Sequence, residues 1–176
     1  MEQLSQNDIR RLFELLNKQL QDQALQGEVY LVGGAVMCLV FNARPSTKDV
    51  DAFFKPTQKI REAVSKVALE AGIKKDWLND AVKGFLSEKG EFNPFLEFSH
   101  LRIFVPRPEY LLAMKCLAMR IGEEFQDLND IRYLLRYLNI TQYQKAVEII
   151  TQYYPLKRFP QKTLYALEEL LDEETA

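Results

Sequence analysis

Residues 31–54, LVGGAVMCLVFNARPSTKDVDAFF, constrain the chain more than any other segment. The Gly-Gly pair follows directly on a β-branched and aromatic run, residues 28–32, that favours a buried strand. A short apolar helix and a polar turn separate this pair from a second strand-like run, KDVDAFF, which carries Asp49 and Asp51. Because alternate side chains of a strand share a face, we expect both carboxylates on one face, about 7 Å apart along the strand. The segment therefore predicts two acidic groups directed into one volume beside a glycine bend.

Two carboxylates in one volume repel each other, and burying them unpaired costs several kcal/mol. A divalent cation offsets that penalty, and ligands made of oxygen alone suit Mg²⁺ or Mn²⁺. The alternative is an edge strand whose polar face meets water. The spacing of Asp49 and Asp51 is compatible with both interpretations.

The glycine pair itself suggests a place for phosphate. Gly33 and Gly34 lie between a predicted strand and a predicted helix, where backbone N–H groups are accessible and no side chain blocks an anion. No Lys-Ser/Thr follows them and no GxGxxG is present, so neither a P-loop nor a dinucleotide-binding fingerprint is supported.

The rest of the chain mixes helices and strands up to residue 105 and is helical beyond it. Apolar periodicity predicts helices over residues 6–20 and 57–71, the second ended by Gly72. Residues 95–105 predict one bent strand or a hairpin, whereas residues 74–94 show no clean period. Four helices follow Pro108, the first of them extending to residue 122. We expect an α+β fold with a small mixed sheet flanked by helices in residues 1–106, and a C-terminal helical bundle, residues 107–176, packed on it.

Composition excludes several other classes of protein. The 176 residues carry a net charge of -2, which lacks the strongly basic signature of a bulk nucleic-acid binder. With two cysteines and one histidine, buried thiols are expected rather than a disulfide or a zinc site. The longest uncharged run, residues 29–42, is too short to span a membrane, and the N-terminus lacks the order of a signal peptide. We therefore expect a cytoplasmic protein without a membrane partner.

The order strand, Gly-Gly, short helix, Arg-x-Ser-Thr-x-Asp-x-Asp and strand resembles the polymerase-beta-like nucleotidyltransferase superfamily. More closely, the chain looks like the bacterial minimal and AbiEii-like nucleotidyltransferases, several of which act in toxin–antitoxin systems. Those proteins also carry a helix reading roughly E-x-L-x-A-x-K-x-x-A-x-x-R and a second helix that opens D-x-x-D. Here EYLLAMKCLAMR and DLNDI match these blocks, and they supply Glu109, Lys115, Arg120, Asp127 and Asp130.

The resemblance implies roles for residues at the matching positions. Asp49 and Asp51 would bind one or two Mg²⁺ (or Mn²⁺) ions. A larger set would bind the nucleotide and its phosphates: Gly33, Gly34, Arg44, Thr47, Lys115, Arg120, Asp127 and Asp130.

Active relatives usually add a third carboxylate on a later strand, as a metal ligand and general base. Glu97, flanked by Leu96 and Phe98, is the candidate here, and the alternative is an exposed glutamate on a strand edge.

Lys115 stands out for a reason independent of the resemblance. It lies in the middle of the apolar stripe of its predicted helix, and a buried ammonium needs a partner. It would reach a triphosphate or the active-site carboxylates; alternatively, its stem lies at a helix interface while the charge reaches water.

The resemblance therefore implies a Mg-dependent enzyme that moves a nucleotidyl group from an NTP to a hydroxyl. Acceptors in such families include RNA ends, small molecules and protein side chains, and a toxin or antitoxin partner is a further expectation. The competing hypothesis is a catalytically inactive nucleotide-binding or neutralising protein with the same fold, which loss of the third acid would favour.

Overall fold

The computed structural model describes residues 3–80, 84–119 and 126–175. Over these residues the chain has the predicted α+β fold, with seven α-helices, a five-stranded mixed sheet and a two-stranded sheet. None of the helices in this described part is long and apolar enough to cross a lipid bilayer.

The helices and strands follow one another in this order: β1 (Leu4–Ser5), α1 (Gln6–Asp22), β2 (Gly27–Val32), α2 (Gly34–Leu39), β3 (Ser46–Thr47), β4 (Val50–Lys55), α3 (Thr57–Ala71), β5 (Leu78–Asn79), β6 (Phe92–Glu97), β7 (Leu101–Pro106), α4 (Pro108–Leu117), α5 (Asp127–Tyr137), α6 (Tyr143–Ile150) and α7 (Gln161–Thr175). A short 3-10 turn, Leu156–Arg158, lies between α6 and α7.

The chain forms two compact units. The first comprises Met1–Gly84 and Phe92–Pro106, and the second comprises Phe85–Glu91 and Arg107–Ala176. The periodicity of the sequence gives no sign that Phe85–Glu91 groups with the later residues.

In the first unit, the five strands lie in the order β5-β4-β2-β7-β6. The central strand β2 is antiparallel to β4 and parallel to β7. Strands β6 and β7 are antiparallel neighbours, so residues 95–105 belong to a hairpin rather than to one bent strand. Helix α1 contacts β7 and helix α3 contacts β4, and the residues of the sheet that face these helices are apolar and buried, among them Val29, Leu31, Ala52, Phe54 and Ile103.

Helix α1 begins as its sequence predicts. The Asp8 amide donates to Ser5 Oγ at 3.2 Å, and the Ser5 amide donates to Asp8 Oδ2 at 2.8 Å, which forms a capping box. These hydrogen bonds to Ser5 lower the pKa of the Asp8 carboxyl.

Two features differ from the sequence-based expectation. The segment without a clean period contains strand β5 and the fully buried Trp77. Helix α4 ends at Leu117, with Ala118 as its C-cap, and so does not extend to residue 122 as predicted.

The second unit is helical, with α4 in contact with α5 and α6, and α6 in contact with α7. Hydrogen bonds attach the segment Phe85–Glu91 to helix α4 and to the residues that follow α6. The Ser87 amide donates to the Tyr110 hydroxyl at 2.9 Å, Ser87 Oγ donates to the Tyr153 carbonyl at 2.6 Å, and the Tyr154 hydroxyl donates to the Phe85 carbonyl.

Both cysteines are buried free thiols, as predicted. Burial raises the pKa of the Cys38 and Cys116 thiols, so the reactive thiolate form is disfavoured at neutral pH.

Candidate functional site

The glycine bend and one of the two aspartates lie together, as the sequence predicts. The last residue of β2, Val32, is in register with Asp51 of β4. Gly33 follows with φ of 74° and ψ of -148°, a backbone conformation that glycine adopts most readily. A Cβ atom on Gly33 would lie 3.2 Å from Asp51 Oδ2, so the carboxylate lies directly against the bend.

Arg44 brings a positive charge to the second glycine. A Cβ atom on Gly34 would lie 3.0 Å from Arg44 Cζ and from both Nη atoms, so the guanidinium lies against the first residue of α2. Helix α2 has only 6 residues, and its dipole is correspondingly weak. The positive charge at this bend therefore comes mainly from Arg44.

Thr47 is buried and shapes the backbone that leads to the acids. Its Oγ1 donates to the Asp49 carbonyl at 3.2 Å. The structure thus gives the hydroxyl an internal partner, and phosphate binding by Thr47 stays a prediction.

Asp49 lies in a bend immediately before β4, not inside the strand as the sequence analysis expected. Its Oδ2 lies 3.8 Å from Lys74 Nζ, and its side chain is 37% exposed. The alternation rule for strands therefore applies to Asp51 and Phe53, but it does not fix the direction of the Asp49 side chain.

Sequence reasoning missed the polar neighbour of Asp51. Strand β5 is parallel to β4, with Asn79 in register with Asp51, so their side chains lie on the same face of the sheet. The Val50 amide donates to the Trp77 carbonyl at 2.7 Å, and this bond holds the start of β4 beside the residues before β5. A strand of two residues has no alternation to detect, and the clearest available signal is Trp77, whose burial anchors this segment.

Glu97 does not join the two aspartates, contrary to its prediction as the third acid. It is in register with Arg102 of β7, Arg102 with Glu28 of β2, and Glu28 with Lys55 of β4. Glu97 is therefore three strands across the sheet from β4 and level with Lys55, roughly 19 Å from Asp51 by ordinary strand spacings. Its carboxylate is exposed and lies 3.2 Å from Arg102 Nε, as expected of a glutamate on a strand edge.

Lys115 has the partners that its position in an apolar stripe requires. Only 8% of the residue is exposed, and its Nζ lies 2.7 Å from Asp130 Oδ2 and 3.5 Å from Asp127 Oδ1. Both aspartates are buried as well. Gln126 is the N-cap of α5 and Asp127 its first residue, so capping does not account for Asp127. This ionic cluster joins α4 to α5 within the second unit, and Arg120 lies outside the described residues.

The oxygen atoms of the first unit fit a hard divalent cation. Asp49 and Asp51 offer carboxylates and Asn79 offers an amide oxygen, which are ligand types that Mg²⁺ and Mn²⁺ prefer. Across residues 3–80, 84–119 and 126–175, the structure shows no group of three or more His, Cys, Asp and Glu side chains placed to hold a metal ion. Mg²⁺ needs only one or two protein carboxylates, since waters and substrate phosphates complete its shell.

Comparison with known proteins identifies the family of this chain. The family model described as "Nucleotidyltransferase of unknown function (DUF6036)" matches residues 7–154. The chain belongs to this family. A search of curated proteins and a search of solved structures each returned no match. The matched range contains the glycine bend, both aspartates and Asn79 of the first unit, and separately the ionic cluster around Lys115 of the second unit.

Proposed function

We propose that this nucleotidyltransferase moves a nucleotidyl group from an NTP to a hydroxyl group and depends on Mg²⁺ or Mn²⁺. The observation that carries the proposal is the Asp51 carboxylate lying against the Gly33 bend, in a chain that belongs to a nucleotidyltransferase family. An acid beside a bend without a side chain can hold a cation where phosphates can also approach.

In this proposal the bend binds the β- and γ-phosphates. Gly33 and Gly34 leave their amides accessible, and the Arg44 guanidinium offers several donors to phosphate oxygens. Asp49 and Asp51 would hold the cation, which when bound supplies charge neutralisation of the triphosphate and a lower pKa of the acceptor hydroxyl. Thr47 keeps the backbone of Asp49 in place.

In this proposal Asn79, in register with Asp51, lies where a third acid could bind the cation and act as a general base. Its amide can orient an acceptor hydroxyl by a hydrogen bond, but it cannot act as a general base. The acceptor proton would therefore pass to solvent. Lys115, Asp127 and Asp130 hold α4 against α5 in this proposal rather than binding phosphate directly.

The amide of Asn79 beside Asp51 also favours a second candidate function. An amide in place of a third acid suits a nucleotide-binding or neutralising protein that keeps the fold without transferring nucleotides. Such a protein would bind NTP with a divalent cation and leave it intact.

The finer parts of the proposal rest on the resemblance to the minimal and AbiEii-like nucleotidyltransferases. These parts are an RNA end, a small molecule or a protein side chain as acceptor, and a toxin–antitoxin or defence setting with a partner protein. Growth on expression of this chain, with and without the product of the adjacent gene, tests that setting. If expression of this chain slows growth and the product of the adjacent gene restores it, the setting is supported. If neither gene changes the growth rate, the setting is contradicted.

The transfer reaction is tested with labelled NTPs, Mg²⁺, and bulk RNA or cell lysate as acceptor. We expect Asp51→Asn to reduce label transfer by about 100-fold or more, because the charge that holds the cation is lost. Glu97→Gln is the matched control, since it makes the same change on a carboxylate far from the bend, and it should retain wild-type transfer. Transfer that is unchanged in Asp51→Asn contradicts the proposal. NTP binding that requires Mg²⁺ and Asp51, without transfer in the wild type, supports the second candidate function.

A further inference from the structure

Lys74 lies next to Asp49 and has no role in the proposed function. Lys74 Nζ lies 3.8 Å from Asp49 Oδ2, with 46% of the lysine side chain and 37% of the aspartate side chain exposed. It follows α3, whose C-cap Gly72 has the left-handed conformation with φ of 69°. The sequence pattern does not single out Lys74, because it lies in the segment without a clean period.

The turn that carries Lys74 is firmly attached to the core. The Trp77 amide donates to the Lys74 carbonyl at 3.3 Å, which closes the turn. The Trp77 side chain is fully buried, and its Nε1 donates to the Val64 carbonyl at 3.1 Å. Trp77 thus fixes the backbone of the turn, while the lysine side chain remains free to change rotamer.

The same turn runs alongside the residues that bear the acids. The Trp77 carbonyl accepts from the Val50 amide at 2.7 Å, and β5 then continues parallel to β4, with Asn79 beside Asp51. One short segment therefore places a cation next to Asp49 and an amide next to Asp51. This arrangement gives Lys74 a defined position at the candidate site.

The separation of 3.8 Å is within ion-pair range but longer than a good hydrogen bond between an ammonium and a carboxylate. A divalent cation bound by Asp49 would repel the Lys74 ammonium, since like charges then share the site. The triphosphate that accompanies the cation carries negative charge to which a flexible ammonium can turn as a point charge.

On the basis of the proposed function, we propose that Lys74 is an exchangeable counter-ion of this site. It pairs with Asp49 when no divalent cation is bound, and it pairs with the phosphates of the nucleotide when the cation has taken its place. Lys74 would then weaken binding of the free cation and strengthen binding of the nucleotide with its cation. A plain surface ion pair would do neither to a measurable extent.

The test compares Lys74→Gln with Lys75→Gln, because Lys75 is the exposed lysine one position later. Mn²⁺ binding to nucleotide-free protein is measured by electron paramagnetic resonance. Binding of a non-hydrolysable NTP analogue is measured by calorimetry at saturating Mg²⁺. We expect Lys74→Gln to bind Mn²⁺ about threefold more tightly and the analogue about tenfold more weakly. Lys75→Gln should match the wild type in both assays, and Lys74→Arg, which keeps the charge, should lie close to the wild type.

The outcomes separate this inference from the proposed function. Equal values for Lys74→Gln and Lys75→Gln overturn the counter-ion role, and so does a change of both affinities in the same direction. A wild-type protein that binds neither Mn²⁺ nor the analogue overturns the proposed function and this inference together. Thermal unfolding of each variant without ligand checks that the protein is folded. Trp77 is unchanged in all variants and keeps the turn attached to the core.

Discussion

The room left by the missing side chain of Gly34 is filled by the guanidinium of Arg44. A methyl group there would lie 3.0 Å from three guanidinium atoms, so in Gly34→Ala the Arg44 guanidinium must shift by a few tenths of an ångström. We expect the variant to bind an NTP analogue about tenfold more weakly, because the guanidinium is shifted from its place beside the phosphates.

Gly84→Ala is the control for this prediction, since a Cβ atom at Gly84 would have no neighbour within 4 Å. Calorimetric titration of both variants with the analogue and Mg²⁺ gives the comparison. An affinity of Gly34→Ala equal to that of Gly84→Ala would show that Arg44 has no part in phosphate binding.

Asn79 offers a gain-of-function prediction at the same scale. Asn79→Asp would place a third carboxylate on the face that Asp51 occupies, since the two residues are in register. Because a further carboxylate strengthens a hard-cation site, we expect Mn²⁺ to bind about tenfold more tightly and nucleotide transfer to become faster.

The matched control is Asn93→Asp on strand β6, which makes the same chemical change at an exposed position. Mn²⁺ titration and the transfer assay report on both variants. Weaker Mn²⁺ binding in Asn79→Asp than in Asn93→Asp would mean that the amide does not face the cation site.

The difference between Asp51 and Glu97 shows which distances between single residues can be predicted from the sequence. The bend at Gly33 and the acid of the next strand are joined by a short local connection, so their proximity follows from the order of the elements. An acid between two apolar residues, as at Glu97, fits any strand, and its distance from Asp51 depends on the strand order of the whole sheet. That order is decided by pairings between strands far apart in the chain, which no local pattern records.

At the scale of elements, the ionic cluster of Lys115, Asp127 and Asp130 joins helices α4 and α5. Its three side chains are almost fully buried, and removal of the Lys115 ammonium leaves two carboxylates in the helix interface without that positive charge. We expect Lys115→Met to lower the free energy of unfolding by about 3 kcal/mol or more, as measured by urea denaturation.

Lys145→Met provides the comparison, because Lys145 forms an exposed ion pair with Glu148 within α6. That substitution should change the free energy of unfolding by less than about 0.5 kcal/mol. A Lys115→Met protein with wild-type stability and no nucleotide binding would instead support the direct contact with phosphate that the resemblance implies.

The sequence predicts this cluster only in part. The apolar stripe around Lys115 indicates burial and hence the need for a partner, and the structure confirms both. The identity of the partners follows only from the packing of α4 on α5. Strand β5 was missed for a related reason, since its two residues are held by the burial of Trp77 and by pairing with β4, neither of which has a period in the sequence.

At the scale of the whole molecule, the alternation of helix and strand periods is enough to predict the α+β class. The grouping of Phe85–Glu91 with the second unit is not predictable in this way, because it depends on hydroxyl groups. Tyr110 and Tyr154 hydrogen-bond the backbone of this segment, and Tyr153 donates to Glu91 Oε1 at 3.4 Å. Two of these tyrosines, Tyr153 and Tyr154, make the stability of the protein sensitive to alkaline pH.

Burial, with a smaller contribution from Glu91, raises the pKa of Tyr153 to about 12, and burial also raises the pKa of Tyr154. Between pH 10 and pH 12 the unfolded chain has lost the Tyr153 proton while the folded protein retains it, so stability falls as the pH rises. The expected contribution of Tyr153 is about 1.4 kcal/mol per pH unit across that range.

Tyr153→Phe should remove this contribution, so that the free energy of unfolding, measured by urea denaturation between pH 9 and pH 12, falls less steeply with pH. Tyr165→Phe, at a residue that is 63% exposed, should retain the wild-type slope. Parallel pH profiles for Tyr153→Phe and the wild type would show that the phenol ionises equally well in the folded and unfolded protein, which its burial and its contact with an acidic side chain both oppose.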